Sequence, residues 1–249
     1  MVDMHCHILP SIDDGSSSFE ESVKMIENAI KCGITDIIIT PHFIYNSKFN
    51  ADNEKKISLF NELVEYTKNL DINLYLGNEI YYKNDLSNNM DSILSLNNSK
   101  YLLIEFPFNI LPVNVLNELH ELMIKGYKII IAHPERYSYF QDDVNSMIKF
   151  LDKGILFQGN IGSLFGVYGK SAKKALKRMI KCNMIHFLSS DSHKGNDGKY
   201  EFYKKIHKVI DSDVVKELTF TNPRLVISNN DIKVKEYKTV KSIFKKNHR

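Results

Sequence analysis

The sequence predicts a single α/β domain built as one βα barrel, and three observations carry that prediction. Short β-branched runs alternate with amphipathic stretches about seven times along the chain. No Gly/Ser linker interrupts the alternation, and no short internal repeat overlies it. The first strand is not followed by the glycine-rich phosphate loop that a doubly wound nucleotide-binding sheet would carry.

Residues 2–7 read as the first strand, with His5 and His7 on one face, where two imidazoles can share a metal ion. The acidic turn Asp13-Asp14-Gly15 follows. Ser18 and Glu21 frame a capping box. It opens a helix with a stripe of Val23, Ile26 and Ile30, closed by Gly33. The β-branched run 34–40 is a buried strand delivering Thr40-Pro41-His42. A loop and a helix over roughly 53–69 lead to a strand at 72–76, which ends in Gly77-Asn78-Glu79.

Residues 86–94 are expected to form a short helix. A strand at 101–104 ends in Glu105-Phe106-Pro107, and a helix over 113–124 is closed by Gly126. The strand 127–132 ends in His133-Pro134-Glu135-Arg136-Tyr137. A helix over 144–151 precedes a strand at 155–158, which runs into Gly159-Asn160-Ile161-Gly162-Ser163. A lysine-rich helix covers 169–182, and the strand 185–188 ends in Ser189-Ser190-Asp191-Ser192-His193. In a barrel, strand C-terminal ends gather at one mouth. Here that mouth would hold His5, His7, Asp14, His42, Glu79, Glu105, His133, Asp191 and His193.

Composition narrows the class. With 249 residues, 43% hydrophobic and 25% charged, the chain can bury one large core. No apolar run approaches the roughly 20 residues that span a bilayer. The first residues lack the order of a secretory signal, so a cytoplasmic protein is expected. Cys6, Cys32 and Cys182 are widely spaced, with no Cys-x-x-Cys pair and no Cys-x5-Arg loop. They read as small filler in a reducing compartment. The net charge of +3 is uneven: residues 231–249 carry +5, leaving −2 for residues 1–230. The division expected is therefore a barrel over 1–230 and a basic tail over 231–249. The body does not read as a nucleic-acid surface. The tail reads as a solvated segment, or as one that touches an anionic membrane face or an acidic partner.

Nine imidazoles and carboxylates in one place are hard to explain as packing. Five of the nine histidines belong to the set, whereas His120, His186, His207 and His248 fall outside it. Crowded carboxylates repel one another, and divalent cations remove that repulsion. Mixed imidazole and carboxylate donors suit Mn, Fe, Co or Zn better than Ca or Mg. Nine donors exceed the needs of one ion, so two or three ions are implied. Such clusters activate water and clamp an in-line displacement at phosphorus.

These motifs, together with Gly159-Asn160-Ile161-Gly162-Ser163-Leu164-Phe165-Gly166 and Tyr168-Gly169, resemble the polymerase-and-histidinol-phosphatase (PHP) superfamily. Within it the chain is similar to the bacterial manganese-dependent tyrosine-protein phosphatases of capsule and exopolysaccharide operons. The resemblance runs from the first residue to about residue 230. It implies a distorted seven-stranded TIM-like barrel with a trinuclear centre, Mn being the leading ion and Mg admissible. His5, His7, Glu79 and Asp191 would hold one ion. Glu79, Glu105 and His133 would hold a second, and Asp14, His42 and His193 a third. Asp13 would shape the turn. Arg136 would grip the phosphoryl oxygens through its planar fork. Family members often carry an arginine after the Asp-x-His segment. Lys199 lies in that neighbourhood here, a candidate phosphate contact without the fork. The implied reaction is metal-assisted hydrolysis of phosphotyrosine, without a phosphoenzyme on cysteine. The implied substrate is the tyrosine-rich tail of a partner autokinase that regulates polysaccharide synthesis.

Two competing readings remain at this level. One is a histidinol-phosphate phosphatase or general PHP phosphoesterase, whose first motif usually lacks the Leu-Pro…Asp-Asp-Gly continuation found here. The other is a non-catalytic metal-binding regulator of a kinase, for which an intact donor set and Arg136 would be superfluous.

Overall fold

The computed structural model describes residues 1–84, 86–88 and 90–240. Its strands are β1 (Val2–Asp3), β2 (Asp36–Ile39), β3 (His42–Phe43), β4 (Asn73–Leu76), β5 (Glu79–Tyr81), β6 (Tyr101–Glu105), β7 (Lys128–Ala132), β8 (Leu156–Asn160) and β9 (Phe187–Ser189). All pair in parallel, in a three-stranded sheet ordered β1-β2-β4 and a six-stranded sheet ordered β3-β5-β6-β7-β8-β9.

This corrects the expectation of one seven-stranded barrel. Among the described residues there are nine strands in two sheets. The cause is local. Pro41 has no N–H to donate, and Gly77-Asn78 bends the neighbouring run. Each of the two runs is thereby cut into a lower half (β2, β4) and an upper half (β3, β5) that pair in different sheets. The sheets still meet along two seams. At one, the Gly77 N–H donates to the Ile39 carbonyl at 2.9 Å and the Glu79 N–H to that of Pro41 at 3.2 Å. At the other, His7 N–H donates to Ser192 at 2.8 Å and Asp191 N–H to His5 at 2.9 Å. The first strand is accordingly shorter than 2–7, and Cys6 keeps only a lone bridge to Ser192.

Alternation along the strands separates two apolar clusters. Ile37 and Ile39, Leu102 and Ile104, and Ile129 and Ile131 join the larger cluster with the helices. Ile38, Tyr101, Leu103, Ile130, Ala132, Leu156 and Phe187 form a second, inner cluster with Met4. Each Ile, Leu, Met or Phe side chain among them contributes about 1.5–3 kcal/mol on burial. The inner face changes character along the strands. Tyr101 and Leu103 are followed two residues on by Glu105, and Leu156 by Gln158 and Asn160. Apolar packing thus fills the N-terminal end and polar groups crowd the C-terminal end.

The helices are α1 (Phe19–Lys31), α2 (Asn53–Thr67), α3 (Val115–Ile124), α4 (Ser138–Asp142), α5 (Ile148–Leu151), α6 (Ile161–Phe165), α7 (Gly169–Lys181), α8 (Glu201–Lys205), α9 (Ser212–Lys216) and α10 (Asn222–Ile227). The capping box on α1 is half formed. Ser18 Oγ accepts the Glu21 N–H at 3.2 Å, but the Glu21 carboxylate turns to Ser17 N–H and Oγ instead. Instead of a helix at 86–94 there are 3-10 turns at Leu86–Asn88 and Met90–Ser92. Instead of one helix over 144–151 there is a 3-10 turn, Val144–Met147, and the single turn of α5. No helix among the described residues is long and apolar enough to cross a membrane.

The first ten residues of the basic tail lie against the body. Asp231 pairs with Lys100 at 2.6 Å and Lys128 at 2.8 Å, and Lys238 N–H donates to Cys182 at 2.8 Å. The rest of the tail, 241–249, lies outside the described residues.

Candidate active site

The strand ends and the loops after them bring all nine predicted donors together, and Glu79 stands at the centre. Its Oε1 lies 3.2 Å from His5 Nε2 and 3.0 Å from His133 Nε2. Its Oε2 lies 3.4 Å from His7 Nε2 and 3.0 Å from His42 Nδ1. Asp191 Oδ1 lies 3.7 Å from both His5 and His7 and 3.4 Å from His193 Nδ1. Glu105 Oε1 is 3.6 Å from His133. At the rim, Asp14 Oδ1 is 3.5 Å from His42 Nε2 and 3.6 Å from His193 Nε2.

Three compact donor groups result, each with its ligating atoms within 4.8 Å of one another. They are His5, His7 and Glu79; His42, Glu79 and Glu105; and His7, Asp14, His42 and His193. The first lacks the expected Asp191, whose Oδ1 flanks it at 3.7 Å from both His5 and His7, and the third matches the expected set with His7 added. In the second, His42 stands where His133 was expected, and His133 flanks the group through its contacts with both glutamates.

Buried partners fix the rings. His5 Nδ1 meets Gln158 Oε1 at 2.8 Å and His7 Nδ1 meets Asp13 Oδ2 at 2.8 Å, so each directs Nε2 inward. Asp13 does more than shape the turn. It accepts the Gly15 N–H on Oδ1 and the His42 N–H on Oδ2, both at 2.9 Å. Gly15 is required by close approach, since a Cβ there would stand 2.1 Å from the His7 carbonyl oxygen. His133 (φ 32°) and Asp191 (φ 51°) both adopt the left-handed region just past their strands. Such backbone costs about 1–3 kcal/mol and clusters at functional sites.

The charges fit cations. Burial opposes ionisation of Glu79, but His5 and His42 outweigh it and hold the carboxyl well below its usual range. Burial likewise opposes protonation of His7, yet Asp13 and Glu79 push it well up; His5 is raised in the same way, by Glu79 and Asp191. Burial, and then Glu79, drives Glu105 up to about 9. His5, His7 and Glu105 are thus all drawn toward their protonated forms, which offsets the negative charge of the cluster. A divalent cation would take over that role, because ligation needs neutral imidazole and ionised carboxylate. His42 Nδ1 is buried without a hydrogen bond although Glu79 is 3.0 Å away, which suits an ion shared between them. Cys6 is buried and burial pushes its thiol well up, so it is no thiolate nucleophile.

Arg136 lies beside this cluster and contacts none of its imidazoles. Its Nη1 donates to Asp191 Oδ2 at 3.2 Å, rather than to its neighbour Glu135. Glu135 is buried and accepts Asn160 N–H at 2.9 Å and Ser163 Oγ–H at 2.7 Å. The guanidinium lies between two rings, 4.6 Å from the centroids of Phe108 and Tyr168. Lys199 donates its ammonium to the Asp191 carbonyl and lies 5.6 Å from the Tyr168 ring.

The sequence reading assigned no site role to Gln158, Asn160, Tyr168 or Phe108, although Asn160 and Tyr168 stand in the motifs that carry the resemblance. Asn160 Nδ2 and Tyr168 Oη donate to Asp191 Oδ2 at 2.6 and 3.1 Å, which leaves Oδ1 to face the histidines. Gln158 and Asn160 had a signal, namely polar residues at the inward phase of a buried strand.

Parallel strands whose ends converge imidazoles, carboxylates and one guanidinium define a class, the metal-dependent hydrolase type of site. Within it, this chain belongs to the family described as capsular polysaccharide synthesis, CpsB/CapC, whose model matches residues 1–228. It is 32% identical over 240 residues to the tyrosine-protein phosphatase YwqE of Bacillus subtilis, covering 93% of each chain. It is 33% identical over 257 residues to CapC of Staphylococcus aureus, covering 97% of this chain and 98% of that one. A solved chain described among the "unique metal-dependent tyrosine phosphatases" YwqE of Bacillus subtilis and CpsB of Streptococcus pneumoniae superposes with TM-score 0.86. It is 33% identical and covers 97% of this chain and 100% of its own. An amidohydrolase from Mycoplasma synoviae, 13% identical with TM-score 0.57, shares the fold.

Proposed function

We propose that the chain is a metal-dependent protein-tyrosine phosphatase that hydrolyses phosphotyrosine on a partner tyrosine autokinase of capsule or exopolysaccharide synthesis. The observation that carries this reading is the Glu79 carboxylate, within 3.0–3.4 Å of four imidazole nitrogens and with Arg136 beside the cluster. Family membership and the tyrosine phosphatases among its relatives support it.

His5, His7, Glu79 and Asp191 would hold one ion, Glu79, Glu105 and His133 a second, and Asp14, His42 and His193 a third, with Mn the leading candidate. When bound, such ions supply Lewis-acid polarisation and lower the pKa of water. Arg136 binds the phosphoryl oxygens by paired donors, held in place by Phe108 and Tyr168. Lys199 adds positive charge at the same edge. Asp13 and Gln158 hold His7 and His5 in the tautomer that turns Nε2 inward. The protein works in the cytoplasm, consistent with three free buried cysteines. Its basic tail would contact a membrane-associated complex.

The test is turnover of a phosphotyrosine peptide. Activity is expected to vanish in chelator, return best with Mn, and exceed that on histidinol phosphate. Full activity after exhaustive chelation, with loss on thiol alkylation instead, would overturn the reading. Mn-restored metal content without turnover of any phosphate ester would favour a non-catalytic regulator.

A further inference from the structure

One strongly charged surface lies outside the site. Helix α7 buries Ala172, Ala175, Leu176 and Met179 and turns Lys170, Lys173, Lys174, Lys177, Arg178 and Lys181 to one outer face. These positions recur at intervals of three and four, so they form a single stripe. At 1.5 Å per residue the stripe is roughly 16 Å long. The helix contains no acidic residue. Among the described residues, none of the six cations lies within 4.0 Å of a carboxylate oxygen.

A second observation converges on the same place. The tail passes the C-terminal end of α7, where Lys238 N–H donates to Cys182 and Asn183 Nδ2 donates to Glu236. Val240 N–H then meets Asn145 Oδ1 at 2.8 Å. The chain therefore brings the exposed Lys238 to the C-terminal end of α7.

We propose that the outer face of α7, continued by Lys238, is a docking surface for an anionic lipid bilayer. Charge complementarity selects an anionic occupant. The stripe lies on an outer helix, with no sheet edge for a strand and no exposed aromatic anchor among its residues, which are the features that seize peptides. A charged lipid surface needs neither, because cations near it attract it additively. Exposed Lys174, Lys177 and Lys181 present long aliphatic stems that let each ammonium reach the headgroups.

The experiment is co-sedimentation of the full chain with vesicles of phosphatidylcholine alone or of equimolar phosphatidylcholine and phosphatidylglycerol. Binding is expected only to the anionic vesicles and is expected to weaken as salt rises. Replacing Lys174, Lys177 and Lys181 together by Gln should lower partitioning about 100-fold, roughly fivefold per charge. Hydrolysis of p-nitrophenyl phosphate should be unchanged, since none of the three touches the site. The corresponding triple Arg variant should bind like the parent. No binding to anionic vesicles, equal binding by the Gln variant, or loss of binding by the Arg variant would each overturn the proposal. Capture of soluble polyglutamate in preference to the vesicles would also overturn it, assigning the face to an acidic protein.

Discussion

The deep and outer parts of the donor cluster differ more in their support than in their chemistry. His5, His7, Glu79, His133 and Asp191 are each no more than 2% exposed. At the rim, the side chains of His42, His193 and Asp14 are 12%, 26% and 54% exposed. Most of the deep donors are clamped by buried partners, Gln158 on His5, Asp13 on His7, and Asn160 with Tyr168 on Asp191. Asp14 has no such clamp among the described residues. The comparison teaches that a cation at the deep groups finds preformed geometry, whereas water can compete for the outer one. Tightness should therefore follow burial and support rather than ligand type.

The largest break in that scheme is Glu79→Gln. The amide keeps the size but removes the charge that four imidazoles face. Metal content of the purified variant should fall by more than one ion. Turnover of a phosphotyrosine peptide should drop by more than the roughly 10²–10³-fold that follows loss of one preorganised donor. Full metal content with normal turnover would remove Glu79 from the centre.

Arg136→Lys probes the edge of the deep region without touching a ligand. Lysine keeps the charge but loses the paired donors and the stacking between Phe108 and Tyr168. A fall of roughly 10²–10³-fold in turnover is expected, with metal content at the parent level. Near-normal turnover would mean that the contact with Asp191 is structural only.

The sequence made the nine donors legible because parallel strands deliver their C-terminal residues to one end, whatever the sheet closure. His133 and Asp191 could thus be placed without knowing that both take left-handed backbone. The split into two sheets was not legible. It depends on Pro41 and on Gly77, where a Cβ would approach Leu96 within 3.0 Å, and periodicity does not encode such contacts. Tyr168 and Phe108 were given no site role because their roles arise only when separate loops meet around Arg136. The five-residue helices α4 and α6 are too short to give a helical period.

Asp13→Asn sharpens the comparison from beneath the ligands. Asp13 binds no ion in the assignment above, yet it orients His7 and tethers the His42 backbone. Buried supporting carboxylates of this kind typically contribute 10–100-fold in metal affinity or activity. The Mn concentration for half-maximal activity should rise by about that factor. An unchanged Mn requirement would show that His7 holds its orientation by packing alone.

The smallest effect is expected at Asp14, although it is assigned as a ligand. Its carboxylate is half exposed and stands 3.5–3.6 Å from two imidazoles. Water can replace it there, and His7, His42 and His193 remain to hold the outer ion. Treated as an exposed ionic contact, it is worth about 0–1 kcal/mol, which corresponds to at most roughly fivefold in affinity. Asp14→Asn should therefore shift the Mn titration less than Asp13→Asn, even though it removes a proposed ligand and the other variant does not. The two titrations, run side by side on phosphotyrosine peptide, decide between burial and ligand identity as the quantity that ranks the cluster. A shift for Asp14→Asn larger than that for Asp13→Asn would mean that exposure does not set the strength of the outer site. The rim carboxylate would then be drawn inward when the ion binds.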